Sequence, residues 1–330
     1  MYLPEFYATA LAMMIYSMLC WGSWINIHRL CKNWRFELFY WDFVWGILLC
    51  SLLIGTIMGR TDPASADSFF QNLSSAHSRA ILFALTSGIL WNLANILIVA
   101  AIYVAGMAVA FPVGIGLAIV IGSVLNYLLR PVGNPWMLFG GIALVCVAVV
   151  LDGVAYGKRS QGKTVSRKGV VLAAAGGVLM GLFYPFVVKA TTGDGHLGPY
   201  TVGLIFGLGT ALINIPLNYI FMRRPVQGEP LTMKDYFAGS AKAHFWGLVS
   251  GLIFQTGTVL NYVVAYAKMV GPAASYAIGQ GSSIVGTSWG IFVWKEFKGA
   301  SPLVVRLLVL MFVFFIVGLT AIAIAPLVSR

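Results

Sequence analysis

The fold is decided by residues 87–116, SGILWNLANILIVAAIYVAGMAVAFPVGIG, which are apolar enough and long enough to cross a lipid bilayer. Two amides, Asn92 and Asn95, nevertheless stand inside this stretch, close to Trp91. A spacing of three residues places both amides on one face of a helix. Because an amide buried without a partner costs about 1–3 kcal/mol, both side chains need polar surroundings inside the membrane.

The composition extends this interpretation to the whole chain. Of its 330 residues 59% are hydrophobic and 9% are charged, whereas soluble domains carry about 25% charged residues. So few charges cannot cover a surface that faces water. The 37 glycines also suit a membrane protein, because small residues let helices approach closely. The sequence therefore predicts an all-α polytopic membrane protein in contact with the lipid bilayer.

The hydropathy pattern predicts about ten transmembrane helices. Their predicted ranges are 5–27, 37–58, 80–103, 107–129, 135–155, 169–190, 199–222, 245–267, 272–294 and 304–326. The first of them has no basic segment before it, so we expect a retained helix rather than a cleaved signal peptide.

Basic residues concentrate in alternate loops, which predicts an orientation. One set of loops carries Arg29, Lys32, Arg35, Lys158, Arg159, Lys163, Arg167, Lys168, Arg223, Arg224, Lys234, Lys242, Lys295, Lys298 and Arg306. The other set carries Arg60, Arg79, Arg130, Lys189, Lys268 and Arg330. This alternation fits ten spans with both termini outside. It also accounts for the net charge of +11 without a nucleic-acid partner.

The chain contains an internal repeat. Residues 250–279, SGLIFQTGTVLNYVVAYAKMVGPAASYAIG, align without a gap with the opening stretch. The alignment pairs Asn92 with Gln255 and Asn95 with Thr258. An apolar composition shared by the two segments does not explain why their polar residues coincide. Equivalent polar positions of two repeats are expected to face one cavity near the middle of the membrane.

The repeat predicts how the chain is divided. A basic linker at 158–168 separates a first five-helix unit at 1–157 from a second at 169–330. Because five is an odd number, the second unit enters the membrane from the opposite side, which makes the repeats inverted.

Six stretches of the chain carry a resemblance to known transporters. They are CWGSW at 20–24, RFELFYWDF at 35–43, GILWNLANILIVAAI at 88–102, FPVGIGLAIVIGSVLNYL at 111–128, LFGGIALVCVAVVLDGVAY at 138–156 and YAIGQGSSIVGTSWGIFVWKEF at 276–297. In these stretches the chain resembles the drug/metabolite transporter superfamily, whose ten-span members are two inverted five-span repeats. Within it the chain is most similar to bacterial relatives of the ureide permease family, near the glucose/ribose-uptake and rhamnose–proton symport families.

The resemblance implies a secondary active transporter of the bacterial inner membrane rather than an enzyme. Its substrate would be a small neutral polar metabolite, namely a ureide, a nucleobase or a sugar, moved by alternating access. H⁺ and Na⁺ are the candidate coupling ions. An exporter of drugs or amino acids on the same scaffold stays an alternative, because a fold does not state the substrate or the direction of flux. The sequence leaves the oligomeric state open.

Amides, hydroxyls and aromatic rings recur at similar depth in both halves, which predicts a substrate site for a neutral solute. The predicted substrate-binding residues are Trp21, Asn26, Trp91, Asn92, Asn95, Gln255, Thr258, Asn261, Tyr276 and Gln280. Gln280 also shares a helix face with Ser283 at a spacing of three. The alternative for each amide is a structural hydrogen bond to a neighbouring helix, worth about 0.6 kcal/mol on average.

The acidic residues supply one candidate for proton coupling, Asp42, which lies inside the second span. An acid within a span is a functional candidate by default. The alternative is a structural role, because Arg35 and Lys32 are near and could pair with Asp42 or with Glu37. Asp152 and Glu296 fall at span ends, where we expect them to anchor loops.

Prolines predict where helices bend. The predicted hinges are Pro112, Pro185 and Pro272, because proline frees backbone groups that only a cavity or another helix can satisfy. The sequence predicts no metal site and no cofactor, since its histidines and cysteines have no ligand spacing. It also shows no catalytic set within the spans and no GxxxxGK[ST] phosphate loop, which disfavours an intramembrane enzyme and a primary pump.

Overall fold

The computed structural model describes residues 1–31, 33–59, 68–159, 166–226, 228–267 and 269–328. In these ranges the chain is α-helical without any β-strand, so the predicted fold class is confirmed. The membrane-length helices and the pieces of a broken helix are α1 (Tyr7–His28), α2 (Phe36–Met58), α3 (Ser78–Ala105), α4 (Met107–Leu129), α5 (Pro135–Arg159), α6 (Arg167–Ala190), α7 (Pro199–Arg223), α8 (Ala241–Tyr266), α9a (Pro272–Gln280), α9b (Ser282–Ser288) and α10 (Pro302–Ile324).

Nine helices of the described ranges are long and apolar enough to cross a membrane. The predicted span at 272–294 is different, because it is interrupted at Gly281 between α9a and α9b and continues in a π-helical turn at Trp289–Val293. Neither piece reaches the roughly 20 residues that a straight transmembrane helix needs. Two short helices, Phe69–Ser75 and Met233–Phe237, lie between the long ones.

One end of the molecule carries the connections 29–35, 224–240 and 294–301, and we call it the basic end. The opposite end carries the first and last described residues, Met1 and Val328, and the connections 130–134 and 191–198. Five of the basic residues that predict the orientation, Lys32, Arg60, Lys163, Lys268 and Arg330, lie outside the described residues, as do positions 160–165 of the predicted linker.

Helices α2 and α8 cross at glycines. A Cβ atom at Gly46 of α2 would clash with the backbone carbonyl of Leu248 on α8. A Cβ atom at Gly251 of α8 would clash in the same way with the carbonyl of Phe43 on α2. The two backbones are therefore in direct contact, which only glycine permits.

Helices α3 and α7 cross in the same manner. Gly88 of α3 lies against the carbonyl of Phe206 on α7, and Gly209 of α7 lies against the carbonyl of Leu85 on α3. A third close pair joins α5 to α10, where a Cβ at Gly141 would lie 2.7 Å from the Gly318 carbonyl oxygen. Helix α3 also packs against α6, and α8 packs against α1, so these contacts enclose the centre of the bundle.

Candidate functional site

A cavity of about 400 Å³ lies between α1, α3, α6, α8 and the broken helix. It extends from the middle of the bundle, at Trp91 and Phe254, to the basic end, at Arg29 and Glu296. The side chains of Arg29 and Glu296 are 44% and 24% exposed, so the cavity reaches the surface there. The cavity therefore opens towards the basic end of the molecule, beside Arg29 and Glu296.

Aromatic rings form the deep part of the cavity. The Phe254 ring lies between two indoles, with its centroid 4.5 Å from that of Trp91 and 6.2 Å from that of Trp21. The Trp21 Nε1–H donates to Thr258 Oγ1 at 3.0 Å, which holds this indole in place. Rings fixed in this way offer flat apolar faces on which a planar solute can stack.

The two amides of the opening stretch have different surroundings. Asn95 lines the cavity and donates through Nδ2 to the Tyr40 hydroxyl at 2.9 Å. That hydroxyl donates to Asn92 Oδ1 at 2.8 Å, and Asn92 Nδ2 donates to the Thr210 carbonyl at 2.8 Å. Asn92 is fully buried and does not line the cavity. Both amides thus have a polar partner inside the membrane, as the sequence requires, and for both of them it is the hydroxyl of a tyrosine.

Gln255, which the repeat sets on Asn92, is also fully buried outside the cavity lining. Its Nε2 donates to Ser51 Oγ at 2.8 Å and to the Gly203 carbonyl at 3.0 Å. These bonds join α8 to α2 and α7. In this structure the amide therefore makes the hydrogen bonds to neighbouring helices that were the alternative to substrate binding.

Asn261 and Tyr276 likewise bond neighbouring helices. Asn261 Oδ1 accepts a hydrogen bond from Tyr184 of α6 at 2.5 Å. The Tyr276 hydroxyl lies 3.0 Å from the Ala118 carbonyl and 3.1 Å from the Met180 carbonyl. Both side chains are fully buried and lie outside the cavity lining in this conformation.

The structure thus divides the ten predicted substrate-binding residues into two groups. The cavity is lined by Trp21, Asn26, Trp91, Asn95 and Gln280. The residues that instead make hydrogen bonds between helices are Asn92, Gln255, Thr258, Asn261 and Tyr276. Substrate contact stays a prediction for all ten.

Ser283 is a cavity residue outside the predicted set. Its Oγ is buried and has no hydrogen-bond partner within the described part of the chain. An unpaired buried hydroxyl on a cavity wall is suited to a ligand, because a bound polar group would satisfy it. The sequence feature that could have identified Ser283 as a cavity residue is the helix face that it shares with Gln280.

Charged and polar side chains surround the mouth of the cavity. Arg29 Nη1 and Glu296 Oε1 form an ion pair at 2.6 Å, and Tyr156 donates to Glu296 Oε2 at 3.1 Å. The Arg29 guanidinium lies over the Trp294 ring at 5.3 Å, and Trp294 Nε1–H donates to Asn26 Oδ1 at 2.8 Å. Because Arg29 is neutralised by Glu296, the mouth presents no uncompensated guanidinium.

Asp42 is buried in α2 and lies outside the cavity lining. Its Oδ1 accepts a hydrogen bond from the Tyr236 hydroxyl at 2.6 Å, and His244 Nδ1 lies 2.9 Å from Oδ2. Arg35 pairs with Glu37 at 2.5 Å rather than with Asp42. Burial and the adjacent carboxylate raise the pKa of the Tyr236 hydroxyl, so this group stays protonated and donates to Asp42. Proton coupling through Asp42 stays a prediction.

The three predicted hinge prolines have different settings. Pro112 lies in a π-helical turn at Phe111–Ile115, Pro185 lies inside α6 without interrupting it, and Pro272 is the first residue of α9a. The interruption in α9 falls at Gly281 instead. Motion at these residues stays a prediction.

Comparison with known proteins finds similarity over almost the whole chain. A family model described as "Ureide permease" matches residues 39–168 and 158–325. "Ureide permease 1" of Arabidopsis thaliana is 25% identical over 386 residues, covering 96% of this chain and 97% of that protein. "Putative ribose uptake protein RbsU" of Latilactobacillus sakei is 25% identical over 284 residues, covering 82% and 88%. A solved crystal structure superposes with a TM-score of 0.64 at 15% identity, covering 94% of this chain and 96% of that chain, which shows the fold alone.

Proposed function

Since this chain belongs to the ureide permease family, we propose that it is a secondary active transporter of a small neutral polar metabolite. Membership of a permease family indicates a membrane transporter with a small-molecule substrate rather than an enzyme. The substrate classes that fit are ureides and nucleobases, with sugars as the third. The Arabidopsis relative is named for ureides and the Latilactobacillus relative for ribose uptake.

The observation that carries this proposal is the chemistry of the cavity lining. Trp21, Trp91 and Phe254 offer apolar ring faces, while Asn95 and Ser283 offer hydrogen-bonding groups. A cyclic ureide or a nucleobase has a flat ring with amide donors and acceptors at its edge, so it can stack and hydrogen-bond at once.

The charge of the cavity supports a neutral solute. Arg29 is engaged by Glu296 at 2.6 Å, so it is not free to hold an anion. A phosphate ester would favour unpaired Arg or Lys side chains in the pore. A metabolite without net charge can bind here without breaking that ion pair.

We propose alternating access by two inverted five-helix repeats, 1–157 and 169–330, as in the drug/metabolite transporter superfamily. The crossings of α2 with α8 and of α3 with α7 support this division. The alignment that sets Asn92 on Gln255 also sets Gly46 on Gly209 and Gly88 on Gly251 when it is extended. Equivalent glycines thus make equivalent backbone contacts, as a pseudo-twofold axis in the membrane plane requires.

The orientation follows from the loop charges. If the basic end faces the cytoplasm and both termini lie outside, the cavity of this conformation opens to the cytoplasm. The lining of the cavity ends at Trp91 and Phe254 in the middle of the bundle, so within the described residues it does not reach the opposite end. We propose the bacterial inner membrane as the location.

The test is solute counterflow in proteoliposomes that hold the purified chain. Vesicles are loaded with unlabelled allantoin, uracil, xanthine, glucose, ribose or rhamnose and diluted into the same labelled solute. We expect one chemical class to exchange, and Trp21→Leu to lower that exchange. Trp136→Leu is the matched control, because it makes the same change at an exposed position outside the cavity.

Two outcomes would contradict the proposal. If no solute of the panel exchanges with the wild-type chain, transport of neutral metabolites is wrong, and assays of drug and amino-acid export come next. If Trp21→Leu and Trp136→Leu exchange equally well, the cavity is not the substrate path.

A further inference from the structure

We propose that Asp152 of α5 binds the proton that drives transport, and that Thr287 of α9b links this proton to the shape of the cavity. The inference rests on the proposed function. It assigns proton coupling to a residue other than Asp42, and it gives the interrupted helix a role in the coupling.

Asp152 is 0% exposed, and among the described residues its carboxyl hydrogen-bonds to Thr287. Thr287 Oγ1 lies 3.0 Å from Oδ1 and 2.9 Å from Oδ2. Across the described residues, no Lys, Arg or His nitrogen lies within 4.0 Å of this carboxyl. The expectation that Asp152 anchors a loop at a span end is therefore wrong, because α5 continues about two turns further to Arg159.

The number of hydrogens favours a protonated carboxyl. A threonine hydroxyl has one hydrogen, which the two oxygens of an ionised carboxylate would have to share. A neutral carboxyl can donate to Oγ1 with one oxygen and accept from it with the other, so both short distances become hydrogen bonds. A buried carboxylate without a cation is also strongly disfavoured. We infer that Asp152 holds a proton in this conformation.

The ligand of this site is a proton rather than a sodium ion. In transporters, sodium is held by several oxygens, including backbone carbonyls of unwound helices. The carboxyl and Thr287 together offer three oxygens, and the carboxyl is closed to water. A proton needs only the carboxyl and one acceptor.

The site lies where two irregular helices meet α5. Thr287 stands between Gly286 and Gly290, which both line the cavity. On the neighbouring residue of α5, Gly153 lies against the Pro112 ring in the π-helical turn of α4, with the Pro112 Cδ 2.7 Å from the position of a Cβ. π-helical turns are frequent at functional sites. A shift of α9b at the cavity wall would therefore separate Thr287 from Asp152 and open the carboxyl to the water of the cavity, where hydration stabilises the ionised form and lets the proton leave.

The charged groups around α5 leave the Asp152 carboxyl uncompensated. Tyr156 lies one turn further on the same helix and bonds Glu296, which in turn pairs with Arg29. Helix α10 brings only Arg306, which is exposed, and α4 brings no charged side chain. Asp42 differs, because His244 Nδ1 and the Tyr236 hydroxyl both lie within hydrogen-bond distance of its carboxyl.

The first experiment detects the proton without a substrate. Infrared difference spectra of the wild-type chain in lipid, recorded across pH 5 to 8, should contain the carbonyl-stretch band of a protonated carboxyl. We expect Asp152→Asn to lose this band, Thr287→Val to shift it, and Thr287→Ser to keep it in place. Asp194→Asn, an exposed acid of the opposite end, is the control that leaves it unchanged. A band that survives in Asp152→Asn, or that disappears in Asp42→Asn instead, overturns the proposal.

The second experiment tests the role of the proton in transport. Proteoliposomes with an inwardly directed proton gradient should accumulate labelled allantoin, and Asp152→Asn should lose this accumulation. Counterflow of allantoin moves no net proton, so it separates this loss from a loss of substrate binding. If another solute of the panel exchanges instead of allantoin, it replaces allantoin in both assays. Absence of wild-type counterflow with every solute of the panel would refute the proposed function, while the infrared result still decides the proton site. Gradient-driven accumulation by Asp152→Asn at the wild-type level would refute the coupling role.

Discussion

Asn92 and Asn95 carry the same amide on the same helix, yet only Asn95 borders the cavity. Asn92 is engaged at both ends, by Tyr40 and by the Thr210 carbonyl. We expect Asn92→Ala to lower the free energy of unfolding by about 1–3 kcal/mol, because it leaves buried polar groups without partners. A ligand-induced rise in melting temperature should nevertheless survive in this variant.

Asn95→Ala is the matched comparison. We expect it to lose the ligand-induced rise, because it removes an amide from the cavity wall. Thermal shifts with allantoin, uracil and ribose measure both effects, since a ligand that binds the folded state raises its apparent stability. If Asn92→Ala loses the rise and Asn95→Ala keeps it, our placement of the substrate is wrong.

The spacing of the amides predicted a shared face but could not predict the edge of the cavity. Residues three apart on a helix point in directions about 60° apart, so a neighbour can cover one of them and leave the other open. Asn92 meets Tyr40 of α2 and the Thr210 carbonyl of α7, which are both distant in sequence. The sequence also placed Asp152 at the end of a span, because hydropathy alone ended the predicted helix before α5 ends in the structure.

At the scale of elements, the glycine crossings carry a prediction. Gly88→Ala and Gly251→Ala both drive a methyl group into a backbone carbonyl, so each should destabilise the chain by about 1–3 kcal/mol or more. The two losses should be similar, because the contacts are equivalent in the two proposed repeats. The melting temperature of the purified variants is the measurement.

Gly140→Ala is the control for helix propensity. A Cβ there meets nothing within 4 Å, so the added methyl group should leave the stability unchanged or slightly higher. If Gly88→Ala is as stable as Gly140→Ala, the backbones of α3 and α7 are not in close contact.

Helical elements were predictable from apolar length, whereas the interruption of α9 was not. A hydropathy window averages over about 19 residues, so it registers 272–294 as one span. The break at Gly281 depends on neighbours: a Cβ there would lie 2.9 Å from Leu319 Cδ2 of α10. Such packing is invisible in the local sequence.

For the whole molecule, the proposed orientation predicts which side reaches the cavity. In a variant with its native cysteines replaced, Met107→Cys lies on the cavity wall near the basic end, and Asp194→Cys lies exposed at the opposite end. An impermeant maleimide added to intact cells should label Asp194→Cys and spare Met107→Cys. In inside-out vesicles the pattern should reverse, and labelling of Met107→Cys from outside would show that the orientation is wrong.

The fold class, the family and half of the predicted lining of the cavity could be derived from the sequence. These features follow from hydropathy, from motifs and from polar residues inside apolar helices, all of which are local. Whether a polar residue lines the cavity, as Asn95 does, or bonds a neighbouring helix, as Gln255 does, depends on which helices touch. That arrangement exists only in the folded molecule.

The ion pair between Arg29 and Glu296 stands at the mouth through which the cavity opens to the basic end. Both side chains are partly exposed, and such a pair contributes at most about 1 kcal/mol. An energy of that size favours the paired over the separated side chains by only about fivefold. A solute with a millimolar Kd already brings about 4 kcal/mol of binding energy. A solute that binds even this weakly can therefore separate the pair, so the charges at the mouth do not bar its entry.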